Sequence, residues 1–418
     1  MSSSFADLGV DPFFIERLGE RGITNPTEIQ SQVIPQLLAG SNTLFSSATG
    51  TGKTFAYLIP LLQTLRASPP PAAEWPALLI CAPTYELCSQ IKQEADFLLA
   101  GFPKADGPLK AGGLTKVSLL IGAGSMGRQI DGLKKDKPQV IIGNPGRLLQ
   151  LGRMGKLRLA RLRFLVLDEG DRLVADELFE ETSELIRLIP AKGAAGITAL
   201  GINAPDTRVR EHLTAVCSAT LPPKSRDRLL PFLGSSPVTE EHDGHEVIRD
   251  RILHWAIFSE GRRKISTLRS FLAAARPRKA LVFTARGGDV GNIVSQLQYH
   301  HLAASGLYGD MDKKTRKQAL DDFRRDRLQI LVTSDLAARG LDIAGISHII
   351  ALDVPNDSEA YIHRAGRTAR AGNRGIVVTI GGEDEMRRLA ALEKKLGIVV
   401  YPKELYNGKI AAPEDLPD

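Results

Sequence analysis

The chain has 418 residues, 43% hydrophobic and 24% charged, a balance that suits about two or three globular domains and excludes a disordered chain. Its formal net charge of +6 leans toward a polyanionic partner, and no apolar run reaches the roughly 20 residues that a membrane-spanning helix needs. Cys81, Cys88 and Cys217 lack the spacing of a zinc site or redox motif, and their odd number argues against a disulfide framework, so a reducing compartment is expected.

Residues 1–9 contain no basic segment followed by an apolar stretch, so no targeting segment is expected. Residues 5–40 read as helical, with one apolar group at Phe13, Phe14, Ile15 and Leu18 and another at Ile29, Val33, Ile34, Leu37 and Leu38. Between them, residues 22–30 read as a turn and a capped helix, with Pro26 near its start and Thr27 as the cap. That reading leaves Gln30 unexplained, and its amide can pair with both a donor and an acceptor on a purine edge.

An apolar run at 43–45 leads into Ser47-Ala48-Thr49-Gly50-Thr51-Gly52-Lys53-Thr54 and then a helix-like run at 55–65. Glycines at 50 and 52 let backbone N–H groups turn around phosphate oxygens, Lys53 adds a point charge, and the Thr54 hydroxyl is a candidate magnesium ligand. Serine at 47 departs from the generic pattern, which has glycine there, and an ordinary turn before a helix is the alternative.

Short apolar runs at 78–82, 117–121, 140–142, 164–167 and 215–217 alternate with helix-like segments, the pattern of a parallel sheet covered by helices. Asp168-Glu169-Gly170-Asp171 closes one of these runs. Its three carboxylates either solvate a turn or hold magnesium and orient water against a γ-phosphate. Residues 192–206 read as an exposed insertion, and Ser218-Ala219-Thr220 follows the next run. Pro222, Pro223, Pro231 and Pro237 are expected to break the chain, closing a first domain at 1–238 ahead of a linker at 239–246.

A second alternating series at 252–258, 280–284, 303–308, 330–332, 348–352 and 376–380 implies a second parallel sheet over 247–405. It has no phosphate loop. Arg364, Arg367 and Arg370, spaced by three, would share one helical face, which is either salt-bridged or turned toward a triphosphate; periodicity leaves both open. A charged helix over 383–396, a strand at 398–401 and a tail at 406–418 complete the chain.

In order from Phe5 to about Tyr401, these motifs resemble the DEAD-box family of ATP-dependent RNA helicases. The resemblance implies an α/β fold of two tandem RecA-like domains with the active site in the cleft between them, and ATP with Mg2+ as cofactors. It assigns Gln30 to adenine with Phe5 packed on it, and the loop Ser47, Ala48, Thr49, Gly50, Thr51, Gly52, Lys53 and Thr54 to the phosphates, serine standing for the family's alanine at 47. Asp168 would hold the magnesium through water together with Thr54, and Glu169 would position the attacking water as general base. The family's DEAD is DEGD here; losing the methyl at Gly170 is expected to loosen the backbone. Asp171, Ser218, Thr220 and His363 would couple hydrolysis to closure, Asp342 would contact ribose, and Arg367 and Arg370 the γ-phosphate.

The RNA-side motifs match less closely. Pro83 and Thr84 match, but Tyr85 replaces an arginine; Asn144-Pro145-Gly146-Arg147 has asparagine for threonine, and Ala123 stands for a glycine. Motif IV lacks its usual Asn-Thr although Arg286 can hold phosphate, while motif V keeps Thr333, Asp335, Arg339 and Gly340. The resemblance therefore implies single-stranded or short duplex RNA bound through its backbone, with weakened affinity. An ATP-gated RNA clamp or assembly scaffold is the second reading, and a non-helicase P-loop NTPase or DNA translocase the third. A cytoplasmic monomer is expected, with RNA choice left to a protein partner.

Overall fold

The computed structural model describes residues 4–47, 50–70, 75–101, 116–122, 124–189, 212–234, 238–241, 245–285, 289–308, 311–338, 343, 345–355, 357–369 and 373–415. The chain divides into two compact units, the changeover falling between Asp243 and Gly244.

Strands covered by helices on both faces must be apolar throughout, and Leu78, Leu79, Ile80 and Cys81 are all fully buried. Together with β1 (Thr43–Ser46), this strand, β2 (Leu78–Cys81), joins β3 (Val117–Leu120), β4 (Val140–Gly143), β5 (Phe164–Asp168), β6 (Leu213–Ser218) and β7 (Val238–Glu241) in the first unit's sheet. Their spatial order is β3-β4-β2-β5-β6-β1-β7, and each pairing is parallel. This order sets β6 between β5 and β1, with Cys217 registered against both Asp168 and Phe45 and Ser218 against Ser46. The phosphate loop, the acidic motif and the Ser-Ala-Thr turn therefore leave three adjacent strands at their carboxyl ends, where open α/β sheets bind ligands.

The second unit's sheet consists of β8 (Ile252–Phe258), β9 (Ala280–Phe283), β10 (Ala304–Leu307), β11 (Ile330–Thr333), β12 (His348–Ala351), β13 (Gly375–Gly381) and β14 (Val400–Pro402). It runs β10-β11-β9-β12-β13-β8-β14, again all parallel.

Several expectations need correction. Residues 239–241, assigned to a linker, belong to β7, which pairs with β1, and a helix already begins at His245. Pro222 and Pro223 do not break the chain but start the helix Pro223–Leu233, where the missing N–H at the first turn costs nothing, and Pro231 lies within that helix. The tail contains an antiparallel hairpin of β15 (Glu404–Tyr406) and β16 (Lys409–Ala411). Asn407 and Gly408 turn it with φ of 47° and 72°, the double positive φ of a type I′ turn. The insertion at 192–206 lies outside the described residues.

Candidate nucleotide site

β1 ends at Ser46, and the chain then turns through Gly50 and Gly52, with φ of 82° and 90°, before entering the helix Lys53–Ala67. Both values lie in the left-handed region that glycine adopts without strain. At Gly52 a Cβ would also lie 2.3 Å from Gln30 Nε2, so a side chain there would displace the Gln30 amide. Lys53 Nζ donates to the Ser47 carbonyl, and the Ser47 N–H donates to the Ser218 carbonyl at 3.2 Å, tying the loop's first residue to β6. Burial lowers the Lys53 ammonium pKa, opposed by the charges of Asp168, Glu169 and Asp171. Ala48 and Thr49 lie outside the described residues.

Gln30 is 2% exposed. Its Oε1 accepts from Thr27 N at 3.0 Å in a capping box, and its Nε2 donates to the Gly52 carbonyl at 3.1 Å, so the residue expected to read adenine also fastens the phosphate loop. Phe5, expected against the base, is 2% exposed within the core that includes Val10 and Phe14. Its ring is covered in this conformation.

β5 delivers Asp168, which is 4% exposed. Its Oδ1 accepts from Glu169 N at 2.8 Å and from Cys217 Sγ at 3.0 Å, and its Oδ2 accepts from the Tyr57 hydroxyl at 2.8 Å. Burial raises the Asp168 pKa, while the Cys217 and Tyr57 hydrogen bonds and Lys53 act against that rise. Burial also pushes the Tyr57 and Cys217 pKa values well up, so both remain proton donors. Neither residue stood out in the sequence. Tyr57 had a signal, lying four residues after Lys53 and so on the same helical face.

Glu169 has φ of 51°, and its Oε2 is buried without a hydrogen-bond partner, the Arg172 guanidinium lying 3.5 Å away. Asp171 Oδ1 accepts from the Ser218 hydroxyl at 2.5 Å, and the Asp171 N–H donates to Ser218 Oγ at 3.4 Å, joining the acidic motif directly to the Ser-Ala-Thr turn. Thr220 Oγ1 is buried without a partner.

A methyl at Gly170 has no room here. The residue starts the helix Gly170–Leu173, and a Cβ there would lie 2.7 Å from Val216 Cγ1 and 3.3 Å from Leu229 Cδ1. The space of the missing methyl is filled by those two side chains.

The RNA-side residues divide sharply. Thr84 caps the helix Tyr85–Leu99, accepting from Leu87 N at 3.3 Å; Pro83 is half-buried, and Tyr85 is 49% exposed. Asn144 precedes the helix Pro145–Arg153, and its Oδ1 is buried without a partner. At Gly146 a Cβ would lie 3.0 Å from Glu181 Oε2, while Pro145 is buried. Arg147 is not available to a phosphate: it is 9% exposed and donates to the Gly124 carbonyl at 3.2 Å, Gln129 Oε1 at 2.8 Å and the Gly122 carbonyl at 3.0 Å. Thr333 is likewise fully buried, its hydroxyl donating to the Ser334 carbonyl at 3.1 Å, so neither residue presents itself to RNA in this conformation. Ala123, Arg286, Arg339, Gly340, Asp342 and Arg370 lie outside the described residues.

In the second unit the shared arginine face does not form. The helix Ser358–Ala365 stops at Gly366, so Arg367 lies beyond it, and Thr368 then bonds the Ile346 carbonyl at 2.6 Å. Arg364 takes the salt-bridged alternative, meeting Asp335 with two bonds of 2.7 and 2.6 Å and Asp353 at 2.9 Å. His363, on the helix, is half-buried, and Arg367 is 8% exposed.

Among the described residues no group of three or more His, Cys, Asp or Glu side chains can hold a metal by itself.

A parallel sheet with a glycine-turned loop, a half-buried lysine and a carboxylate pair on neighbouring strand ends defines a P-loop nucleotide-binding protein with a second parallel-sheet unit. Residues 27–229 match the DEAD/DEAH box helicase family model and residues 263–372 the helicase conserved C-terminal domain. The chain is 31% identical over 401 residues to DEAD-box ATP-dependent RNA helicase CshC of Bacillus cereus, covering 96% of this chain and 93% of that protein. CshA of Bacillus subtilis is 30% identical over 394 residues, or 94% and 72% of the two chains. The chain belongs to the DEAD-box family of ATP-dependent RNA helicases and is by class an RNA-dependent ATPase. The fold is shared with S. cerevisiae Dbp5 bound to RNA and ADP BeF3, at 24% identity over 96% of this chain and 95% of that one, with a TM-score of 0.76. It is also shared with Mss116p bound to ssRNA and AMP-PNP, at 22% identity over 97% and 80%, with a TM-score of 0.80.

Proposed function

We propose that the chain hydrolyses ATP in response to RNA and uses the cycle to open short RNA duplexes locally, without reading base sequence. The observation that carries this is the convergence of Lys53, Asp168, Glu169 and the Asp171–Ser218 pair at the ends of three adjacent strands. Lys53 and the loop N–H groups bind the phosphates, and Glu169 receives the proton of the attacking water. Magnesium, when bound, neutralises charge on the phosphates; Thr54 and Asp168 are the residues that would hold it, Asp168 through water.

The Asp171–Ser218 contact supplies the coupling, because any shift of the acidic motif on hydrolysis is passed to the strand end that carries Thr220. Arg367 and Arg370 complete the phosphate site when ATP and RNA close the domains, in the manner of arginine fingers. RNA lies along the backbone-contacting motifs, with target choice left to a protein partner and the protein acting as a monomer in the cytoplasm. Among the described residues no helix is long and apolar enough to cross a membrane.

A strand-separation assay on a short RNA duplex tests the proposal. ATP-dependent release of one strand is expected; RNA-stimulated hydrolysis with no release would establish the ATP-gated clamp instead, a reading favoured by the loss of an arginine at Tyr85 and the commitment of Arg147.

A further inference from the structure

Asp168 is a buried carboxylate held from two sides. A buried carboxylate is costly unless its oxygens are matched by donors. On one side is Tyr57, whose hydroxyl donates to Oδ2 at 2.8 Å; on the other is Cys217, whose thiol donates to Oδ1 at 3.0 Å. The fold dictates both contacts. Tyr57 lies one turn beyond Lys53 on the helix that follows the phosphate loop, and the β5–β6 register sets Cys217 directly opposite Asp168.

Tyr57 lies one turn after Thr54's neighbour Lys53 on the same helix, so the helix that presents the loop's lysine also carries a donor to Asp168. With a side-chain donor on each oxygen, the Asp168 carboxylate cannot rotate about its terminal torsion without breaking a bond. Cys217 and Tyr57 are both fully buried, so water cannot take their place as donors.

We infer that Tyr57 and Cys217 are positioning residues that fix the Asp168 carboxylate for the hydrated divalent cation bound with ATP. The inference rests on the ATP and magnesium reading above and adds to it the two side chains on which metal affinity depends. Partners of this kind, behind a metal-holding carboxylate, commonly govern metal affinity on the order of tenfold or more.

The test is the magnesium concentration that half-saturates binding of a fluorescent ATP analogue to the full chain, read alongside the thermal midpoint in magnesium-free buffer. Tyr57→Phe keeps the ring and loses the donor; it is expected to raise the magnesium requirement on the order of tenfold, with magnesium-free nucleotide affinity near wild type and a thermal midpoint lowered by the unmatched Oδ2. Cys217→Ala is expected to do the same, and Cys217→Ser, which restores a donor, to return the requirement toward wild type. Variants that need no more magnesium than wild type overturn the inference, and so does a fall in thermal midpoint or in magnesium-free affinity with the requirement unchanged, which marks a merely structural role. A wild-type chain that binds the analogue equally well with and without magnesium overturns the cofactor reading itself, and the inference falls with it.

Discussion

Gly170 shows how one missing methyl is explained by its neighbours. Its φ is not among the positive values, so no turn requires glycine there. The requirement comes from Val216 Cγ1, which would lie 2.7 Å from a Cβ. Helix propensity alone would make Gly170→Ala stabilising by about 1 kcal/mol. Overpacking reverses the sign, and we expect Gly170→Ala to cost about 1–3 kcal/mol, read as a lower urea midpoint of the first unit. Adding Val216→Ala should recover part of that loss, so that the double variant is more stable than the sum of the singles. A Gly170→Ala chain more stable than wild type would contradict this packing account. Arg147 teaches a related lesson: the sequence shows its charge, but not that two loop carbonyls and Gln129 already take its guanidinium.

Among the elements, β8 and β12 each carry a covered histidine. His254 Nε2 faces the Ile248 carbonyl at 2.9 Å and must donate, which leaves Nδ1 to accept from the Tyr361 hydroxyl at 2.7 Å. This neutral ring connects β8 to the helix that bears His363. Burial lowers the pKa of both histidines, that of His348 to about 4 from 6.5. Because the folded values lie below the unfolded ones, the unfolded chain takes up protons first as the pH falls. The second unit should therefore hold its full stability above pH 6.5 and lose it progressively toward pH 4, by ~2 kcal/mol for His348 after allowance for its partial exposure. Urea midpoints between pH 7 and pH 5 check this: a falling midpoint in wild type, flattened in His348→Gln, is expected, and a level one in wild type would contradict it.

The elements also show what could be read from sequence. Buried strands such as Leu78–Cys81 and the amphipathic helix Glu383–Leu396 were legible because their periodicity reflects the cover they receive. The end of the helix at Ala365 was not, since a three-residue spacing of arginines looks helical whether or not Gly366 stops the chain. The hairpin at Glu404–Ala411 carried its Asn407-Gly408 turn signal, but strands of three residues are too short to show alternation. The candidate site was legible wherever backbone geometry dictates residue type, as at Gly50 and Gly52. It was illegible at Cys217, which reaches Asp168 only through strand order and register, whereas Tyr57 carried a partial signal in its place one turn after Lys53.

For the whole molecule, the net charge of +6 invites an RNA partner, but charge becomes affinity only where it meets phosphate. Tyr85 is 49% exposed at a helix start and cannot neutralise a phosphate, and Arg147 is already committed. The logarithm of RNA affinity should therefore fall only shallowly with the logarithm of salt, and Tyr85→Arg should tighten binding and steepen that slope by roughly 0.7. An unchanged slope would show that residue 85 does not approach the RNA backbone. The claim at the centre of this account is that the carboxylates at the end of β5 hydrolyse ATP in response to RNA. ATP hydrolysis by the full chain, with and without single-stranded RNA, tests it most directly in wild type and Glu169→Gln. The account predicts that RNA stimulates the wild type, that DNA of the same sequence does not, and that Glu169→Gln loses on the order of 10²- to 10⁴-fold in rate while still binding nucleotide. Hydrolysis by Glu169→Gln at the wild-type rate, or a wild type indifferent to RNA, would contradict it.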